Sequence, residues 1–399
     1  MILFDNTFTR RVVTISSRVT SMGLTFAMFS MCVRNMSIRD FSSLMVLTAF
    51  IGLLIWILDF GSMTRIMILR SANRIQDSRK LMGTRNLVLI STIILGSLFL
   101  FVFGSELNIL LINAVFFDLF TDSFVGYRQI HENIRSFVWK MNGKRFFQIT
   151  LLYFCIQFTE IEILSAFSIS VLIPSICVFS FDLRMMRPIL DKTNILFYFS
   201  SPGFWFQSGG TSLAMLDTVV LSRFGGTDFI PILVLGKRIS NAVGILGANL
   251  VPETLHAWSK SIELRSKSWK QIFTFSFIGG LIAILIFLFK EPLVTLILDR
   301  YLTDEENFVL NCVLLSIPIG IMTSNFNAIL LSLNRLSRAS TSTYLSTLTY
   351  LAILIFGMNQ ENVQYFIGAA ILLNLLMEIL LQSFLFFRLT WKDQIVHET

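Results

Sequence analysis

About twelve apolar stretches of membrane-spanning length run through this 399-residue chain, and its positive charge falls almost wholly in every second gap between them. A spanning helix needs roughly 20 mostly apolar residues at 1.5 Å rise each. Residues 271–290 (QIFTFSFIGGLIAILIFLFK) show the pattern most cleanly. The other expected spans are 12–33, 41–63, 86–107, 108–128, 146–160, 163–182, 197–222, 229–255, 308–333, 339–358 and 362–387. The 146–182 block needs one inserted turn. Charged residues are 14% of the chain, against about 25% in a soluble domain, and the mean hydropathy is +0.72. The gaps leave no room for a second, soluble domain. No cleavable leader is expected, because the first span is rich in Ser and Thr and lacks an Ala-x-Ala-like site.

Lys and Arg set orientation. With the N-terminus and alternate gaps taken as one side, that side holds 24 of the 32, including Arg65–Arg85, Arg128–Arg145, Lys260–Lys270 and Arg335–Arg338. The other side holds 5: Arg34, Arg39, Arg223, Lys290 and Arg300. The richer side is expected to be cytoplasmic, with both termini inside. The net charge of +7 then belongs to loops facing anionic lipid headgroups, and no nucleic-acid partner is expected. The basic segments 64–85 and 128–145 read as interfacial helices resting on that lipid, or simply as positive-inside loops. Cys32, Cys155, Cys177 and Cys312 lie in apolar stretches without pairing spacing and read as buried, inert thiols. His131, His256 and His397 are scattered, no metal-ligand cluster is visible, and no cofactor is expected.

Two stretches are alike at an offset near half the chain. Residues 40–47 (DFSSLMVL) and 228–235 (DFIPILVL) each follow an Arg and a short polar turn and open the second span of their half. Six spans per half return the chain to its starting side, so the repeats would be parallel, related by an axis along the membrane normal. The expected fold is all-α and polytopic, with two six-helix lobes, residues 1–190 and 191–399, joined near 184–194. Substrate in such folds binds near the midplane between lobes.

A charge at mid-helix costs about 2.5–3.5 kcal/mol in a bilayer, so such residues face a cavity or a partner. Lys237 and Arg238 lie near mid-depth in the eighth span. One is expected to face a cavity and the other a neighbouring helix or carboxylate; the alternative is a buried ion pair with a snorkelling Lys. Arg18 shares a helical stripe with Thr14, Ser17, Ser21 and Thr25, which reads as a wall facing water or as an Arg reaching for headgroups. A matching stripe in the seventh span runs Gln207, Gly210, Thr211, Ala214, Asp217, and Asp217 is expected as counter-ion for Arg238 or Arg223. Asp118 and Asp122, one turn apart on one face, and the lone Glu378 could carry a proton or Na⁺; the two aspartates could equally neutralise cations. Asp59 reads as a helix-end residue, and Pro174, Pro252 and Pro318 as kinks.

Three stretches resemble the Wzx-type O-antigen flippases of the multidrug/oligosaccharidyl-lipid/polysaccharide exporter superfamily. They are Asp59-Phe60-Gly61 with Arg65, Leu216–Gly226 (LDTVVLSRFGG), and Val234–Ile239 (VLGKRI) followed by Leu250-Val251-Pro252. Where the superfamily often has Gly-x-Tyr ahead of the eighth-helix Arg, this chain has Phe229-Ile230-Pro231. The resemblance implies two six-helix lobes around a central, cation-lined cavity in a bacterial inner membrane. It implies export of an undecaprenyl-pyrophosphate-linked glycan, the O-antigen repeat unit, to the periplasmic leaflet, with polysaccharide polymerase machinery as a partner. Arg238, Lys237 and Arg18 would hold the pyrophosphate as charge-assisted partners, with Asp217 beside them. Two rivals stand beside it. A cation-coupled drug antiporter of the same superfamily would prefer an acidic cavity. An O-antigen polymerase or polytopic glycosyltransferase would need a large periplasmic loop, and the longest such gap, about 291–307, is short.

Overall fold

A computed structural model describes residues 7–59, 61, 62, 65, 66, 69, 74–102, 109–124, 128, 132–186, 189, 216–224, 226–244, 262–332, 336–358, 360 and 362–398. The stripe residues Gln207, Gly210, Thr211 and Ala214 lie outside the described residues, as do Pro252, His131, His256 and most of the 184–194 join.

Among the described residues every regular element is a helix. The chain divides into two compact units, Met1–Met215 and Leu216–Thr399. The first holds α1 (Thr7–Asn35), α2 (Ile38–Asp59), α3 (Ile75–Val102), α4 (Ile109–Asp122), α5 (Ile134–Val138), α6 (Lys144–Phe158) and α7 (Ile163–Met186). A π-helical turn, Trp139–Gly143, fuses α5 to α6. The second unit holds α8 (Leu216–Arg223), a 3₁₀ turn (Thr227–Phe229) and α9 (residues 230–244). It continues with α10 (Ile262–Leu288), α11 (Lys290–Leu298), α12 (Asp304–Ser332), α13 (Leu336–Gly357) and α14 (Val363–Glu398).

Six of these helices are long and apolar enough to cross a membrane. Their outer faces are greasy: Phe273, Phe277, Leu281, Ile284 and Leu288 of α10 are all exposed. A soluble surface does not carry apolar patches on this scale. The protein is an all-α polytopic membrane protein. Hydroxyl side chains fit such helices because they bond back to their own turns. Thr25, Thr48 and Thr92 each donate to the carbonyl four residues earlier, at 2.8–2.9 Å.

Local chemistry sets the breaks. The turn required between 146 and 182 falls at residues 159–162, where Thr159 is extended and its hydroxyl caps the Cys155 carbonyl at 2.6 Å. Helix α2 ends at Asp59, and Gly61 takes φ 63°, a left-handed conformation that glycine adopts without a Cβ clash. The gap expected at 291–307 is mostly helical: α10 breaks at Phe289, α11 carries the chain on, and Thr303 and Glu306 cap α12 reciprocally. Pro174 and Pro318 lie inside α7 and α12, and both helices continue through them. The repeat at Asp40 and Asp228 opens differently in each unit. Asp40 bonds Ser37, whose hydroxyl accepts from the Asp40 N–H at the start of α2, whereas Asp228 sits in the 3₁₀ turn before α9. Of the four cysteines expected to be buried, Cys32 and Cys312 are; Cys177 is exposed and Cys155 half-buried, on helix faces that apolar neighbours share.

Candidate anion and counter-ion sites

In the second unit three helices meet at one carboxylate. Asp217, near the start of α8, is fully buried. Its Oδ1 accepts from the Thr218 N–H at 2.6 Å and from the Thr218 hydroxyl at 3.2 Å. Its Oδ2 accepts from the Tyr350 hydroxyl of α13 and lies 2.5 Å from Lys237 Nζ of α9. The expected partner of Asp217 was Arg238 or Arg223; the observed ion pair belongs to Lys237. Adjacent helix residues point 100° apart, so a helix that turns Lys237 to Asp217 turns Arg238 elsewhere. Gly236 lets α9 press on α12: a Cβ there would meet Val313 at 3.1 Å. That close approach fixes the helix that carries the lysine. The Lys237 side chain is 35% exposed and that of Asp217 not at all. The pair therefore joins a buried anion to a lysine whose side chain is partly exposed.

Glu378 of α14 is buried. It accepts from Thr343 at 2.9 Å and from Gln382 at 3.0 Å. Arg18 of α1 is half-buried, and its stripe partners Thr14, Ser17 and Ser21 are buried. Thr14, Ser17 and Ser21 are thus covered by protein, in the unit where α1 packs against α6 and the π-turn.

The first unit holds a closed layer of ions. Asp118 and Asp122 of α4 face Lys144 and Arg145 at the start of α6. Lys144 Nζ is 2.9 Å from Asp118 and 2.5 Å from Asp122, and Arg145 reaches Asp118 at 3.0 Å and also pairs with Asp122. Gln148 bridges them, donating to Asp118 at 2.7 Å and accepting from Arg145 at 2.8 Å. Beside this quartet, Lys140 pairs with Glu132 at 2.6 Å and Asp182 at 2.8 Å, and Arg128 pairs with Asp182. Arg85 pairs with Asp59, donates to Ser123 at 2.7 Å, and lies over the Phe120 and Phe124 rings at 5.0 and 4.8 Å. The sequence pattern assigned these five cations to a basic cytoplasmic surface. In the structure carboxylates cover them. Arg128, Lys140, Lys144 and Arg145 are buried, so the 128–145 segment does not lay these side chains on lipid; among its described residues Asn133, Arg135 and Trp139 are exposed. One signal was available: an i,i+4 acid pair at 118/122 and a basic pair at 144/145 stand at helix ends on the same side of the bundle.

No protein-family model matches the chain and no curated protein matches it in sequence. Solved structures do. A mutant of the MATE transporter VcmN from Vibrio cholerae superposes with a TM-score of 0.67 at 16% identity, over 94% of this chain and 95% of that one. The lipid II flippase MurJ, in its inward closed conformation, gives 0.66 at 13% identity, over 96% and 88%. The MATE multidrug transporter DinF-BH gives 0.65 at 15% identity, over 96% of each chain. The fold is that of the MATE transporters and of MurJ.

Proposed function

We propose that this protein is a flippase that carries an undecaprenyl-pyrophosphate-linked oligosaccharide, an O-antigen repeat unit, from the cytoplasmic to the periplasmic leaflet of a bacterial inner membrane. The observation that carries the reading is Lys237, a lysine in an apolar helix whose side chain is 35% exposed and whose ammonium lies 2.5 Å from a fully buried carboxylate. A pyrophosphate cannot cross hydrocarbon bare, and a cation that can be reached and is already charged is the group that holds it. Asp217 stands in for the phosphate while the site is empty. Arg238 and Arg18 are assigned as further phosphate-holding cations, the guanidinium fork suiting two phosphate oxygens. The fold supports the reading, since one neighbour of this shape is named a lipid II flippase. Both termini are assigned to the cytoplasm on the Lys and Arg asymmetry. The two units are assigned as repeats, and polysaccharide polymerase machinery as the acceptor of the product.

A second reading is favoured by Glu378 and Asp217, two buried carboxylates in one unit, and by the multidrug transporter among the structural neighbours. In it the protein is a cation-coupled drug antiporter, with Glu378 and the Asp118–Asp122 pair as coupling groups. One experiment separates the two. Proteoliposomes are loaded with a defined lipid-linked glycan and, separately, with a cationic dye. Leaflet exchange of the glycan with no dye efflux supports the flippase; dye efflux driven by a proton or Na⁺ gradient, without glycan exchange, replaces it with the antiporter. Chemical change of the glycan without exchange points to an enzyme. High alkaline phosphatase activity in fusions after Lys260 or Lys392 overturns the orientation.

A further inference from the structure

Asp217 keeps donors on both oxygens even if its lysine leaves. The Thr218 N–H and hydroxyl serve Oδ1, and the Tyr350 hydroxyl serves Oδ2, the same oxygen that Lys237 contacts. A buried carboxylate accepting two or three hydrogen bonds remains a stable anion, whereas a bare one in an apolar interior is costly. Two of the three helices at this junction contribute fixed groups. Tyr350 is buried, with 3% of its surface exposed, and Thr218 sits on the same helix as the aspartate. Only α9 contributes a long, partly exposed side chain that can turn away.

We infer that Tyr350 is a positioning residue for the anion site: its hydroxyl holds Asp217 as a stable anion while Lys237 turns from the carboxylate to the phosphate of the substrate. The inference rests on the reading of Lys237 as a phosphate-holding cation. It makes the resting ion pair exchangeable. Without the phenol, Oδ2 has only the lysine among the described residues, and an incoming phosphate must pull Lys237 from an oxygen that has nothing to replace it.

The test uses the full-length protein in lipid nanodiscs, with farnesyl pyrophosphate as the probe. Lys237→Ala is expected to weaken probe binding more than tenfold. Tyr350→Phe, which removes only the hydroxyl, is expected to weaken it about tenfold, the worth of one hydrogen bond to a charged group. Asp217→Asn removes the competitor, so it is expected to bind at least as tightly as the wild type. In that background Tyr350→Phe is expected to cost less than twofold. Equal losses from Tyr350→Phe in both backgrounds mean that the tyrosine acts on the fold and not through Asp217, which overturns the inference. Wild-type affinity in Tyr350→Phe also overturns it. Should that variant fail to fold, Asp217→Asn alone decides: weaker binding than wild type rules out the exchange. Wild-type affinity in Lys237→Ala strikes instead at the anion-site reading, whatever the tyrosine does.

Discussion

The two units bury charge in opposite ways. In the first, Asp59, Asp118, Asp122, Glu132 and Asp182 meet cations that are themselves buried: the side chains of Arg85, Arg128, Lys140 and Lys144 are at most 5% exposed and that of Arg145 is 11%. In the second, a carboxylate with no exposure meets a lysine that is 35% exposed. A cluster whose cations are buried offers an incoming anion no exposed cation and acts as a structural floor. An open pair presents one member to whatever enters. Formal charge is therefore a poor guide to where the proposed anionic substrate would bind; the exposure of the cation is the better one.

The largest effect is expected from breaking the closed cluster. Asp182→Ala strips the buried Arg128 of its carboxylate and leaves Lys140 with Glu132, at about 3–5 kcal/mol. Thermal unfolding in detergent and the yield of monodisperse protein measure it; a near wild-type transition would show the floor to be open to water. Next is Gly83→Ala. A Cβ there would lie 2.3 Å from the Ile189 carbonyl oxygen, where the chain after α7 crosses α3 and the Ile189 N–H bonds Arg79 at 3.2 Å. Displacing that backbone is expected to cost about 1–3 kcal/mol, read by the same unfolding assay. Lys237→Ala tests the other side of the comparison. Glycan exchange is expected to fall more than tenfold, while stability changes by less than about 1 kcal/mol, because a partly exposed pair contributes little to folding. If stability falls as far as in Asp182→Ala, the contrast between open and closed pairs fails. The smallest effect belongs to Thr303→Ala, which removes the cap of α12 at about 1 kcal/mol and leaves glycan exchange unchanged.

Much of the fold was legible in the sequence. Apolar runs located the helices because in a bilayer each span must satisfy its own backbone. The 146–182 block was too long for one span and required a turn, which falls at Thr159–Glu162. The depth of Lys237 marked it as a residue in need of a partner, and Asp217 was on the page as a candidate counter-ion. Its ring of donors was not, because Tyr350 lies 133 residues away on another helix and looks like one more apolar residue. The ion layer was missed for a different reason. Orientation rules count Lys and Arg and pass over Asp and Glu, so Lys144 and Arg145 were assigned to a loop although Asp118 and Asp122 stood ready to cover them. Which cation leans on which carboxylate is decided by helix rotation, and adjacent basic residues such as Lys237 and Arg238 hide it.

The fused helix from Ile134 to Phe158 carries Lys140, Lys144 and Arg145 inward and Trp139, Phe146, Phe147, Phe154 and Phe158 outward. That inverted face sets an order of birth at the ribosome. When its cations enter the membrane, Asp118 and Asp122 have already been made and can receive Lys144 and Arg145 at once. Asp182 has not: it follows Lys140 by 42 residues. Until α7 is inserted, Glu132 must quiet Lys140 alone. The segment is thus an unfinished guest in the membrane, whose residence there is completed only by a helix still to be translated.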